Sequence, residues 1–195
     1  MIYISSGGLL SSATIGPNGK AYVYTHDALV SDCIASGSGA VISILSSSYT
    51  GNLIKDCKAL TSGTIYIRGN GIAGSNLVTQ GNVSTRIYIQ NPSAGTTVSA
   101  VNCSAVSRGR IYVSTGGVLS SAYTTVSGAI FLAKPRALAE NVRMNGGYVS
   151  VYSGGTGHDI TAAPGIVRVF GYNTSPSVVS NVSAGGAGTC IFYMN

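Results

Sequence analysis

The sequence predicts an all-β chain wound as a parallel β-helix, a β-solenoid of about nine coils with a repeat of 18–24 residues. Three observations carry that expectation. First, an apolar-x-apolar triplet recurs from one end to the other: Ile2-Tyr3-Ile4, Ala21-Tyr22-Val23, Ile42-Ser43-Ile44, Ile65-Tyr66-Ile67, Ile87-Tyr88-Ile89, Ile111-Tyr112-Val113, Ile130-Phe131-Leu132, Val149-Ser150-Val151, Val167-Arg168-Val169 and Ile191-Phe192-Tyr193. The central residues are separated by 19, 21, 23, 22, 24, 19, 19, 18 and 24 positions. Second, each triplet is followed by an apolar pair, then Asp or Asn, then Cys or Val. Leu29-Val30-Ser31-Asp32-Cys33, Leu53-Ile54-Lys55-Asp56-Cys57, Leu138-Ala139-Glu140-Asn141-Val142 and Val179-Ser180-Asn181-Val182 share this frame. Third, the turns are built from Gly, Ser, Asn and Pro, and no window shows the 3.6-residue apolar period of a helix.

Alternation marks strands with one buried face. One such unit is too small to bury that face alone. Stacking successive units, strand on strand, buries a continuous core. Residues 1–195 are therefore expected to form a single solenoid domain.

The coils follow in order. The first two, to about Gly39, keep the short step. Coils three to five, from about Ala40 to Arg108, are longer and carry extra turn segments at 46–52, 70–76 and 91–95. In repeat proteins such insertions gather on one face, often the binding face; loop drift would also produce them. Coils six to eight return to the short step. The last full coil starts at Ile166, and the chain runs into a tenth strand, Cys190-Ile191-Phe192-Tyr193. Neither end shows a capping helix, a charged edge strand or a proline run. Both ends are thus expected to be uncapped, with open strand edges that favour head-to-tail self-association.

Composition narrows the function. Only 8% of residues are charged, against about 25% in an average globular protein. Serine, with 28 copies, and threonine must solvate the surface, as is common outside the cell. No run of about 18 apolar residues exists, so no membrane span is expected, and Met1 leads straight into the first triplet without a secretory leader. The net charge of +6 comes from 11 basic residues spread along a rod. That field is too dilute for a nucleic-acid partner, which needs Lys and Arg on one face.

No enzyme is expected. Cleavage of a polysaccharide would need clustered carboxylates. The chain has five acids, and Asp32, Asp56 and Asp159 share the turn register of Asn102, Asn141 and Asn181. That pattern is a corner ladder, in which short polar side chains bond the turn backbone. His26-Asp27 and His158-Asp159 lie too many coils apart to share a site, and neither pair has an evident nucleophile. Metal spacing such as Cys-x-x-Cys is absent, and no cofactor motif is present. Cys33 and Cys57 occupy one register in adjacent coils. They are either bridged or, as favoured here, small apolar fillers. Cys103 falls two coils further on, with Gly81 or Val83 between.

One outward feature suggests binding. If the flanks of each triplet point inward, the centre points out. Tyr3, Tyr22, Tyr66, Tyr88, Tyr112 and Phe131 then form a stripe, flanked in coils four to six by Arg68, Arg86 and Arg110. The stripe is either a cross-strand stack that stabilises the sheet or a surface for sugar rings or a neighbouring molecule. The candidate site is Tyr66, Arg68, Arg86, Tyr88, Arg110 and Tyr112.

Ile111-Tyr112-Val113-Ser114-Thr115-Gly116-Gly117 and Val151-Tyr152-Ser153-Gly154-Gly155-Thr156 resemble the AIDA-type repeats of autotransporter adhesin passenger domains, which run near 19 residues with paired glycines at the turns. The resemblance covers most of the chain. It is close at coils one, six and eight and loose at coils three to five and nine. It implies a right-handed helix, export to the bacterial surface, and a role in adhesion, aggregation or biofilm. Relatives can carry sugars on repeat serines, and Ser114 and Ser153 would be the matching positions. The chain departs from that pattern in its four cysteines and in lacking a translocating barrel. A non-enzymatic extracellular adhesin or structural module is therefore expected, with a glycan or host surface as partner. The alternatives are a filament subunit and a glycan-binding or glycan-degrading viral spike.

Overall fold

The computed structural model describes residues 1–24, 26–46, 51–91, 97–171 and 175–194. Among them every helix or strand element is a strand, and the strands stack in parallel as a β-solenoid of about nine coils. A 10-stranded sheet takes the triplet strand of each coil in chain order, from Ile2–Ile4 to Gly188–Met194. A 15-stranded sheet holds the remainder. In it two columns of short strands climb side by side, starting at Leu9–Ser11 and Thr14–Ile15. They fuse in the bent strands Ala137–Asn145, Gly155–Ala162 and Val178–Ala184.

The registers follow the triplets. Ile42, Ile65, Ile87, Ile111 and Ile130 form one inner column, each no more than 1% exposed. Ile44, Ile67, Ile89, Val113, Leu132 and Val151 form the next. Stiff β-branched side chains suit such columns, because each rests on its copy one coil below. One core cluster runs from Ile4 to Val169.

The last coil departs from the expected register by one residue. Cys190 pairs with Val167, Ile191 with Arg168 and Phe192 with Val169. A glycine decides it. A Cβ at Gly188 would lie 2.0 Å from the Ala162 carbonyl oxygen, and sliding the strand by one would bring Thr189 there. The stretch 70–76 is not an inserted turn either. Ala73–Ser75 is a strand between Leu53–Lys55 and Val98–Val101. Its Gly74 is buried because Ile67 and Leu77 already fill the space a side chain would need. The other two extra segments, 46–52 and 91–95, fall mostly on 47–50 and 92–95, outside the described residues.

The Asp/Asn marker is the corner between the two columns of the larger sheet. Ser12, Asp32, Asp56, Asn76, Asn102, Ser121, Asn141, Asp159 and Asn181 all have φ between 52° and 54°. Asn and Asp tolerate this left-handed conformation better than other side chains. Asn76 Nδ2 donates to Asp56 Oδ1 and Asn181 Nδ2 to Asp159 Oδ1, both at 2.9 Å. Ser12, Asn76 and Ser121 join the ladder although the sequence pattern does not single them out.

Just inside the corner Cys33, Cys57, Leu77, Cys103, Ala122, Val142 and Ile160 are buried. Leu77, not Gly81 or Val83, stands between Cys57 and Cys103. The four cysteines are free thiols. Cys33 and Cys57 donate to the carbonyls of Ser31 and Lys55 at 3.0 and 3.1 Å. Burial pushes the thiols of Cys57 and Cys103 up to about 12. Alkylation of the native protein near neutral pH should therefore modify Cys190, which is only partly buried, and spare the other three; peptide mass spectrometry reads this directly. The linkage has a definite sign. Thiols raised in the fold stabilise it fully below the unfolded-chain value, and that stability is lost as pH climbs from about 9 toward about 12.

Candidate functional site

The triplet centres from Tyr3 to Arg168 share the outer register of the smaller sheet, with Ser43 and Ser150 buried within it, and in the shifted last strand Ile191 takes that register in place of Phe192. Tyr66, Tyr88, Tyr112 and Phe131 are half-buried and stack along the axis. Their ring centroids are 4.9, 5.0 and 4.8 Å apart and their planes differ by 7°, 15° and 10°. The spacing is that of the sheet itself, about 4.8 Å. In-register tyrosines on parallel strands meet face to face. Both faces of Tyr88 and Tyr112 are therefore spent on neighbouring rings, and the stripe turns ring edges and phenol hydroxyls outward.

Two arginines lock onto this stack. Arg86 and Arg110 pair in register, two residues before Tyr88 and Tyr112. Arg86 Nη1 donates to the Tyr88 hydroxyl at 3.0 Å, and Arg110 Nη1 to that of Tyr112 at 3.3 Å. Each guanidinium also lies over the ring one coil on, Arg86 over Tyr112 at 6.0 Å and Arg110 over Phe131 at 5.7 Å. The Tyr88 bond and the surrounding phenols hold the Arg86 guanidinium above its usual value, while burial raises the Tyr66 phenol. Arg68 stands on the other flank, exposed, in a small depression with Gln90, Ser114, Thr115 and Lys134. The structure thus gathers Tyr66, Tyr88, Tyr112, Arg86 and Arg110 on one strip and sets Arg68 across from the other two arginines.

The stripe is shorter below and longer above than the sequence suggests. Buried Ser43 separates Tyr22 from Tyr66. Below that gap Tyr22 stacks instead with Tyr3 at 6.0 Å and Tyr24 at 5.4 Å. Above Phe131 the stack steps sideways to Tyr152 at 6.4 Å and continues through Phe170 and Tyr193 at 4.7 Å each. Tyr152 and Phe170 each sit two residues after a triplet centre, a spacing already visible in the sequence, whereas Tyr193 joins them only through the one-residue shift of the last strand. Ser114 and Ser153 do not share a column. Tyr152 occupies the place of Ser114 two coils on, and Ser153 Oγ donates to the Ser175 carbonyl at 2.8 Å.

The histidines have hydroxyl neighbours that the sequence does not reveal. Ser6 Oγ, one coil below, lies 3.1 Å from Nδ1 and 3.0 Å from Nε2 of His26, and Asp27 Oδ2 is 2.8 Å from Nδ1. The trio has the residue types of a hydrolase but not its geometry. The hydroxyl is equidistant from both nitrogens and so in line with neither. The nearest amides are already spent, with Gly7 N–H donating to the His26 carbonyl and Gly8 N–H to that of Ser5, so neither is free to hold an oxyanion. At the far end His158 Nδ1 meets Ser180 Oγ. Glu140 stands beside His158 in register without forming an ion pair. Among the described residues no three His, Cys, Asp or Glu side chains gather as a metal site, and no helix is long and apolar enough to cross a membrane.

A third surface lies over the corner ladder. An open groove of about 550 Å³ is lined by Asn102, Ser121, Tyr123, Asn141, Arg143 and Asp159, among others.

No protein-family model matches the chain, and no curated protein matches it. Its fold does match a solved one, the crystal structure of a hyper-glycosylated TibA fragment whose glycosylation was catalysed by TibC. The TM-score is 0.61 and the identity 20%, over 98% of this chain and 84% of that one. At that identity the likeness is one of fold.

Proposed function

We propose that the protein is a non-enzymatic, adhesin-like β-solenoid module at the bacterial cell surface or outside the cell. Its contact face is the strip of Tyr66, Tyr88 and Tyr112 with Arg68, Arg86 and Arg110, and its partner is an acidic glycan. One observation carries this reading. Arg86 and Arg110 are aligned one coil apart and held by tyrosine hydroxyls, so their remaining Nη N–H groups are ordered before any ligand arrives, while the Nε of Arg86 is buried. Such a row suits carboxylates or sulfates repeated along a chain, which guanidinium groups bind through paired hydrogen bonds. The ring edges and hydroxyls supply further polar contacts. The surface rich in serine and threonine, the resemblance to adhesin repeats and the fold shared with a glycosylated protein support the same setting.

The test is elution from immobilised heparin. The wild-type chain should need more salt than the Arg86→Gln/Arg110→Gln double variant, with a loss of roughly tenfold in affinity at low salt, because exposed charge pairs weaken as screening rises. Equal retention of both would remove the strip from the reading. A second reading is self-association through the outer coils, where Ile2, Tyr3 and Leu9 at one end and Phe192 at the other are 40–66% exposed. No retention on heparin, together with concentration-dependent assembly, would favour it.

A further inference from the structure

The corner groove differs from the stripe in the two respects that matter for a sugar. The first is its aromatic residue. Tyr123 is 37% exposed. Its register neighbours are Ser104 and Arg143, not rings, and among the described residues it makes no ring contact. No other ring stacks on it, whereas Tyr88 and Tyr112 each lie between two rings. The second is hydrogen bonding. The corner ladder is tied rung to rung at Asn76–Asp56 and Asn181–Asp159. Between those ties, at Asn102, Ser121 and Asn141, no side-chain bond links the rungs among the described residues. Each of these three lines the groove, and so does Arg143, which has no ion-pair partner there.

The five ladder positions from Asn102 to Asn181 span about 20 Å, taking about 4.8 Å per coil. The groove thus offers a partly exposed ring on which no other ring stacks, a row of amides that both donate and accept, one guanidinium, and one carboxylate already held by an amide. Its charge is balanced and its volume falls within the usual range for ligand sites. That combination suits hydroxyl groups repeated along an extended chain, with one sugar ring laid on an aromatic face.

We propose that this groove binds a neutral linear glycan running along the solenoid axis. Tyr123 is the stacking residue. Asn102, Asn141 and Arg143 hydrogen-bond the sugar hydroxyls. The site is separate from the arginine strip, lies on the other sheet, and does not depend on the strip's role.

The experiment is an array of neutral linear oligosaccharides, followed by titration calorimetry of the best-bound member with the full chain. The expected result is binding by at least one member, weakened tenfold or more by Tyr123→Ala and kept by Tyr123→Phe, which retains the ring face. Asn141→Gly should also weaken it several-fold, since glycine accepts the positive φ and removes only the amide. Arg86→Gln/Arg110→Gln should leave it unchanged, which separates this site from the strip. Binding of no member, or binding that survives Tyr123→Ala, would overturn the proposal.

Discussion

Gly128→Ala is expected to destabilise the protein by about 3 kcal/mol or more, at the upper end of what overpacking costs. The reason is the contact between coils. A Cβ built on Gly128 would sit 2.0 Å from the carbonyl oxygen of Ala105, in the coil below. The same clash recurs at Gly63 with Ala35 at 1.9 Å, and at Gly109 with Thr79 at 2.3 Å. These glycines stand just before the triplet strands of their coils, where the chain turns onto the next sheet. A methyl group there cannot move aside, because the atom it meets is backbone. The coils must part, and the ladder bonds beside the turn lengthen or break, each worth about 0.5–1.5 kcal/mol. Gly16 is the control: nothing lies within 4 Å of its built Cβ, and its φ is not positive. Gly16→Ala should be near neutral. In thermal unfolding the Gly128 variant should drop by roughly 6–12 °C, and equal midpoints for the two variants would refute the close-contact argument.

Ile89→Ala should cost about 2–5 kcal/mol, the range for deleting a buried isoleucine side chain to Cβ. Ile89 is fully buried between Ile67 and Val113 in its column. The position adds a second consequence. Each coil touches only its neighbours, so stability is close to a sum of coil and interface terms. Weakening a central interface uncouples the two halves, and denaturant unfolding should broaden or split into two steps. Ile2→Ala, at a residue 40% exposed in the first coil, should cost far less and leave a single step. A sharp, unsplit transition for Ile89→Ala with an unchanged midpoint would contradict this picture.

Much of this architecture was legible because two physical signals agree along the chain. Alternation names the inner columns, and the Asp/Asn corner names the left-handed turn, so the coil count and most registers follow from residue types. What escaped depends on packing across coils. The register of Gly188–Met194 is decided by a glycine against a carbonyl oxygen, and alternation alone fits either neighbouring frame. Gly74 reads as a turn residue until Ile67 and Leu77 are seen to fill its place. The aligned tyrosines and arginines of the strip are legible as a register pattern, but the sequence does not say that in-register rings cover one another's faces. Tyr123 does not stand out in the sequence for a related reason. It lies two residues beyond the corner, in a column with Ser104, Arg143 and Thr161, where no aromatic repeat draws the eye. Ser6 meets His26 only because twenty positions make one coil here.

The proposed recognition face is tested most directly by hydroxyl-radical footprinting of the full chain with and without a heparin oligosaccharide. Oxidation of Tyr66, Tyr88 and Tyr112 should fall on addition of the glycan, because in the proposed contact it covers their hydroxyl edges. Tyr24 and Tyr123, both exposed and away from the strip, should oxidise as before. Unchanged oxidation of the three strip tyrosines at saturating glycan, or protection confined to Tyr24 or Tyr123, would contradict the assignment of that face.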